Sequence, residues 1–288
     1  MAVPLLVVLI ALALVHAWPR LAQRRKDGLF QYWVGQLAET SGYARAALAV
    51  LPPVIVCLLL WLLLGHIATG PWLQALFALA VLVYCLGPRE FRSDLEAIVT
   101  APDLAAQVAA AQRLSTDGEV VGWGARPLGR AVVYAALRRR FAVLLWFFVL
   151  GPAGALAYHL LQQLARDPAL QLRDDADAPR YLANAADWVP AQVLTFTLAL
   201  VGHWEAVIAA WQLWRSHAAP TSWYQEGPSF LGAAAQADIG GDLDEIDAHS
   251  ADQREPLAEL LRLRSTLSRA LLAWLSVVAL IVIGSWLR

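Results

Sequence analysis

The chain has 288 residues, 59% of them hydrophobic and 16% charged, and 22 basic against 23 acidic side chains leave a formal charge of −1. Soluble globular domains run at roughly 45–50% apolar and about 25% charged, so this balance, with a mean hydropathy of +0.52, excludes an ordinary soluble protein and indicates a polytopic membrane protein. It also excludes nucleic-acid binding through bulk positive charge, and the two cysteines, Cys57 and Cys85, sit inside apolar runs as small packing residues.

Crossing the hydrocarbon takes about 20 apolar residues, and six stretches approach that length: Ala2–Trp18, Ala46–Leu64, Trp72–Leu86, Phe141–Leu164, Val189–Trp211 and Ala270–Trp286. The expected fold is therefore all-α, one membrane domain over 1–288 with six spans and amphipathic cytoplasmic helices. Trp18, Trp72, Trp188, Trp211, Trp214 and Trp286 fall near the predicted boundaries, at headgroup depth. Val15-His16-Ala17 resembles a signal-peptidase site, but no basic residue precedes the apolar run and Trp18-Pro19 follows it, so the first helix is expected to be retained.

Segment 19–45 holds Leu29, Phe30, Trp33, Val34 and Leu37 at helical spacing and reads as an amphipathic helix on the inner surface. Pro52-Pro53 sits in the first turns of the second span, and Gly70-Pro71 makes a short outer turn. The inner segment 88–140 begins with charges at helical spacing, Arg89 to Glu96, and continues with a helix over Asp103–Leu114. Asp117-Gly118 and Gly122-Trp123-Gly124 interrupt it before a last helix, Leu128–Phe141. Gly151-Pro152-Ala153-Gly154-Ala155 predicts a kink in the fourth span.

Segment 165–188 is expected as an acidic outer loop, after which Asp187 caps the fifth helix, Trp188 anchors it and Pro190 occupies its first turn. Segment 212–269 is expected inside. Its Gly-rich and acidic part, Ala233–Gln253, reads as a mobile, solvated inner loop. Leu257, Leu260, Leu261 and Leu267 then restore an amphipathic helix. With both termini outside, the three inner segments carry 18 of the 22 Lys and Arg residues.

Ionisable residues within spans cost a few kcal/mol unless they have a partner or a role. That singles out His203 and Glu205, which stand two apart and do not share a helix face. They read either as a polar site between helices or as a backbone-bonded His and a snorkelling Glu. Asp187 is the third candidate polar position, as a cap or a reactive carboxylate. Arg89, Arg92, Arg130 and Arg138, with Arg139 and Arg140, form a candidate anion site or a set of topological anchors. The only lysine is Lys26, which rules out a Walker-type phosphate loop. Asp242, Asp244, Glu245 and Asp247 depart from a calcium loop at Ile246 and Asp247, and no metal or cofactor is expected.

Asp187-Trp188-Val189-Pro190, followed by Ala199-Leu200-Val201-Gly202-His203, resembles the signature of AmpE-type inner-membrane proteins, with support from Tyr84-Cys85-Leu86-Gly87 and Phe141–Gly151. The resemblance runs from about Leu76 to Trp211. It implies a multi-pass protein of the bacterial inner membrane that influences β-lactamase induction or the response to cell-wall damage. The implied partners are the lipid bilayer and either a cytoplasmic or membrane protein or an anionic small molecule. Gly151–Tyr158 is similar to the related CobD/CbiB enzymes, which form an amide in cobalamin synthesis. The chain departs from that pattern at Leu137-Arg138-Arg139-Arg140 and at Gln192, so the regulatory branch is the first expectation and the enzyme the alternative.

Overall fold

The computed structural model describes residues 2–17, 28–37, 39–66, 70–86, 91–115, 120–167, 170, 177–240 and 255–286. Among these the regular structure is helical throughout: α1 Ala2–Ala17, α2 Gly28–Gly35, α3 Gly42–Gly65, α4 Gly70–Cys85, α5 Phe91–Val99, α6 Leu104–Ala111, α7 Ala125–Ala136, α8 Ala142–Arg166, α9 Asp177–Val201, α10 Trp204–His217, α11 Ser222–Gln225, α12 Ser229–Gly240 and α13 Pro256–Trp286. A 3₁₀ turn, Gln112–Leu114, follows α6, and a π turn, Leu137–Phe141, joins α7 to α8. Three stretches are long and apolar enough to cross a membrane: Gly42–Gly65, Ala125–Arg166 and Pro256–Gly284. Val3–Ala17 and Pro71–Cys85 are shorter apolar helices. The contacts divide the chain into one unit of residues 1–90, 142–186 and 278–288, and another of 91–141 and 187–277.

In the first unit α1 packs on α4, α4 on α3 and α8, and α3 on α8. The helices bury small residues such as Ala11, Ala49, Ala78 and Ala155, while Leu59, Leu63, Leu76 and Leu150 point outward. This is the pattern of helices that meet through small side chains and leave their long ones to lipid. Helix α3 starts at Gly42, so Pro52-Pro53 lies well inside it and not in its first turns. Cys57 and Cys85 are buried and form no disulfide, in keeping with a packing role.

Phe30 and Val34 of α2, Ala46 and Ala49 of α3, and Leu160 and Leu164 of α8 share one cluster with Leu170. Arg45, buried in the first turn of α3, donates from Nη2 to the Leu170 carbonyl at 3.1 Å. Trp61, near the other end of α3, lines a cavity with Phe147–Pro152. Helix α3 and the second half of α8 are thus antiparallel, and residues 28–45 and 160–170 lie at the same end of this unit. The six-span reading had put segments 19–45 and 165–188 on opposite sides of the membrane.

The reason lies at Gly151, whose backbone (φ 69°, ψ −157°) leaves the helical region in mid-α8. That conformation is essentially restricted to glycine, and the following Pro152 contributes no N–H to restore the ladder. The chain folds back so sharply that a Cβ placed on Gly154 would sit 2.6 Å from the carbonyl oxygen of Trp146. In a straight helix those residues are about 12 Å apart along the axis. The expected kink is present, but Ala142–Arg166 is a helical hairpin with its tip at Gly151, and not one straight fourth span.

In the second unit α12 packs between α10 and α7, and α5 packs on α6. Phe230, Leu231, Ala234 and Ala235 of α12 are fully buried, so the residues from Ala233 to Gly240 are core helix and not acidic loop. Residues 241–254, which hold Asp242, Asp244, Glu245 and Asp247, lie outside the described residues. The expected fifth span, Val189–Trp211, is interrupted: α9 ends at Val201, Gly202-His203 is non-helical, and α10 begins at Trp204. Asp187 therefore sits ten residues inside α9 and is not its cap.

Candidate functional site

Three arginines follow one another in the π turn, where each turn accommodates an extra residue and neighbouring side chains fan apart; such turns are frequent at functional sites. Arg138 donates from Nε to Asp187 Oδ2 at 2.9 Å, with the two side chains 8% and 0% exposed. Arg139 donates from Nη1 to Asp94 Oδ2 at 2.6 Å and from Nη2 to the Arg113 carbonyl at 2.5 Å. Each buried carboxylate of this pair, Asp187 and Asp94, thus has a guanidinium partner that offsets its loss of water. Breaking one such pair leaves an uncompensated charge and costs about 3–5 kcal/mol.

A second clasp closes the gap between α9 and α10. Oδ1 of Asp238, 3% exposed on α12, accepts the His203 backbone N–H at 3.0 Å. The His203 ring nitrogen Nδ1 lies 3.2 Å from the same oxygen, and donates to it in the tautomer that carries hydrogen there. Gly202 makes this possible, because a Cβ at that position would occupy the Asp238 carboxylate. The Gly-His pair is therefore explained by a side chain 35 residues away. Glu205 is exposed on the first turn of α10 and takes no part. The three polar candidates from the sequence do not form one site: Asp187 and His203 belong to separate clasps and Glu205 to neither.

The arginine candidates also divide. Arg92 pairs with Glu96 at 3.0 Å, and Arg264 reaches the same Glu96 oxygen at 3.0 Å. These two cations hold the Glu96 carboxyl below its ordinary range, the hydrogen bond from Arg92 contributing most. Arg89 lies outside the described residues. Arg130 and Arg138 do come together: both guanidinium groups lie against the ring of Tyr134, at 5.7 and 5.3 Å from its centre. The Tyr134 hydroxyl donates to the Pro228 carbonyl at 2.9 Å, which fixes the ring. All three side chains line a cleft of about 210 Å³ with Ser115, Glu226 and Pro228.

No protein-family model, curated protein or solved structure matches this chain. Among the described residues no group of three His, Cys, Asp or Glu side chains converges as a metal site would require. The sequence pattern marks Asp94 only as one of the charges at helical spacing and does not mark Tyr134 or Asp238, since each acquires its place from residues far along the chain. The only available signal for Asp238 was an acidic residue within an apolar, Ala-rich run.

Proposed function

We propose that this chain is a multi-pass protein of the bacterial inner membrane and an AmpE-type regulator that influences β-lactamase induction or the response to cell-wall damage. One observation supports this reading above others. The two sequence elements of the resemblance serve the same unit, Asp187 by holding Arg138 at the edge of the arginine cleft and Gly202-His203 by clasping Asp238. A carboxylate engaged by a buried guanidinium supports a framework role for the Asp-Trp-Val-Pro element, with the cleft beside it left to receive a ligand or partner.

The membrane arrangement that accompanies this reading has α1, α3, α4 and α13 crossing, with α8 dipping in and returning to the side it left. Segments 18–41, 86–141 and 167–255 are then cytoplasmic and both termini are outside. Every Lys and Arg except Arg288 falls on the cytoplasmic side or at a cytoplasmic helix end, a stronger inside bias than the 18 of 22 in six spans. A topology reporter fused after Asp177 is expected to signal inside; an outside signal refutes the arrangement. The regulatory role is tested by β-lactamase activity in the native host, with and without the gene, before and after β-lactam challenge. Altered induction restored by the wild-type gene supports it, and induction indifferent to the deletion ends it.

A further inference from the structure

We infer that the cleft beside α7 binds a small organic anion, with Arg130 as the charge that meets a phosphate or carboxylate group. The inference deepens the regulatory reading by giving its ligand a chemistry, and rests on that reading only for the consequence of binding. Arg130 is an exposed residue, yet its stem is held: the Cα of Gly232 on α12 leaves the space in which Arg130 Cγ lies, 3.3 Å from where a Cβ would be. Tyr134 supports the guanidinium from one side. An arginine fixed in this way loses little freedom when it binds, which is how a cation on a surface becomes a recognition group.

The neighbouring charge is prepared differently. Arg138 is paired with Asp187 through Nε, so it borders the cleft without adding a second full charge. The opposite wall is also fixed: Gln112 donates from Nε2 to the Val121 carbonyl at 2.8 Å and accepts the Val121 N–H at 2.9 Å. Leu114, Pro127 and Pro228 add apolar surface, while Ser115 and the Glu226 carboxylate complete the lining, so Arg130 is the side chain on which an anion must settle, away from Glu226. A volume of about 210 Å³ is enough for a single anionic group on a compact body. The same group could be carried by a soluble molecule or by a lipid headgroup, and the two sources are separable by experiment.

The probe is phenyl phosphate, titrated by calorimetry into the full chain in uncharged detergent, with phenol as the neutral control. Saturable binding of phenyl phosphate is expected, with phenol at least tenfold weaker. Arg130→Ala should weaken binding at least tenfold, and Gly232→Val, which displaces the arginine stem but keeps its charge, by a similar factor. Arg126→Ala, on the same helix but outside the cleft, should leave binding within twofold. Equal elution and melting behaviour of the variants shows that the fold survives. Nanodiscs containing phosphatidylglycerol that displace the probe support the site with a lipid headgroup as its anion, and nanodiscs that do not displace it support the site with a soluble one. No saturable binding by the wild type, or binding by Arg130→Ala within twofold of it, overturns the proposal. Host induction unaffected by gene deletion, with probe binding intact, would remove the regulatory reading and leave the cleft standing.

Discussion

The contact between Gly202 and Asp238 can be isolated by two substitutions. Gly202→Ala places a methyl group where the Asp238 carboxylate now sits, so that the carboxylate must move and both bonds to His203 lengthen or break. Hydrogen bonds to a charged group contribute about 1.5–3 kcal/mol each. The imidazole side chain is 35% exposed, which favours the low end, so the pair is worth about 3 kcal/mol and Gly202→Ala should lose most of that. The backbone itself tolerates alanine, since the positive-φ glycines among the described residues are Gly42, Gly151 and Gly227 and not Gly202. In an Asp238→Ala background the same change should therefore be neutral, or stabilising by about 0.5 kcal/mol through the unfolded chain. Chemical denaturation of the four proteins in detergent micelles measures the difference, expected as a coupling of about 2–3 kcal/mol. An equal cost of Gly202→Ala in both backgrounds refutes the account of the Gly-His pair.

Arg138→Ala and Asp187→Ala should each destabilise by about 3–5 kcal/mol, and the double substitution by much less than their sum, in the same denaturation assay. Gly151→Ala should cost about 1–3 kcal/mol because alanine resists the backbone conformation at the hairpin tip, read as a lowered melting midpoint against an Ala substitution at the unstrained Gly284. Glu96→Gln should cost no more than about 1 kcal/mol, since the carboxylate is half exposed and screened. Because the folded carboxyl titrates below its ordinary range, its contribution is present above that range and lost as pH falls through the folded value. The wild-type and Gln proteins should thus converge in stability on acidification, and a constant difference down to low pH contradicts the two-arginine clamp.

The apolar runs were legible because hydropathy reports burial or lipid contact directly: α3 and α13 include the stretches expected of them, and α1 and α4 end within one residue of theirs. Hydropathy carries no direction, however. Gly151-Pro152 announced a bend, but the close approach of Gly154 to Trp146 depends on packing that no local pattern encodes. Val189–Trp211 looked continuous for a related reason, since a helix break stabilised by Asp238 leaves the composition on either side unchanged. Arg130 and Arg138, eight residues apart on the helix and its π turn, stand out in the sequence as charges, and the structure adds Tyr134 between them. Arg92 shows the opposite case, where a nearby acid at helical spacing claimed the cation.

The fold-back at Gly151 also bears on how such a protein should be tagged. In the proposed membrane arrangement the hairpin removes one passage through the bilayer and the interrupted α9–α10 segment a second, so the count falls by an even number. Labels on either terminus would face the same compartment in a six-pass and a four-pass protein alike. Only a label between Arg166 and Trp204 distinguishes them, which makes the acidic stretch between α8 and α9 the informative place to insert one.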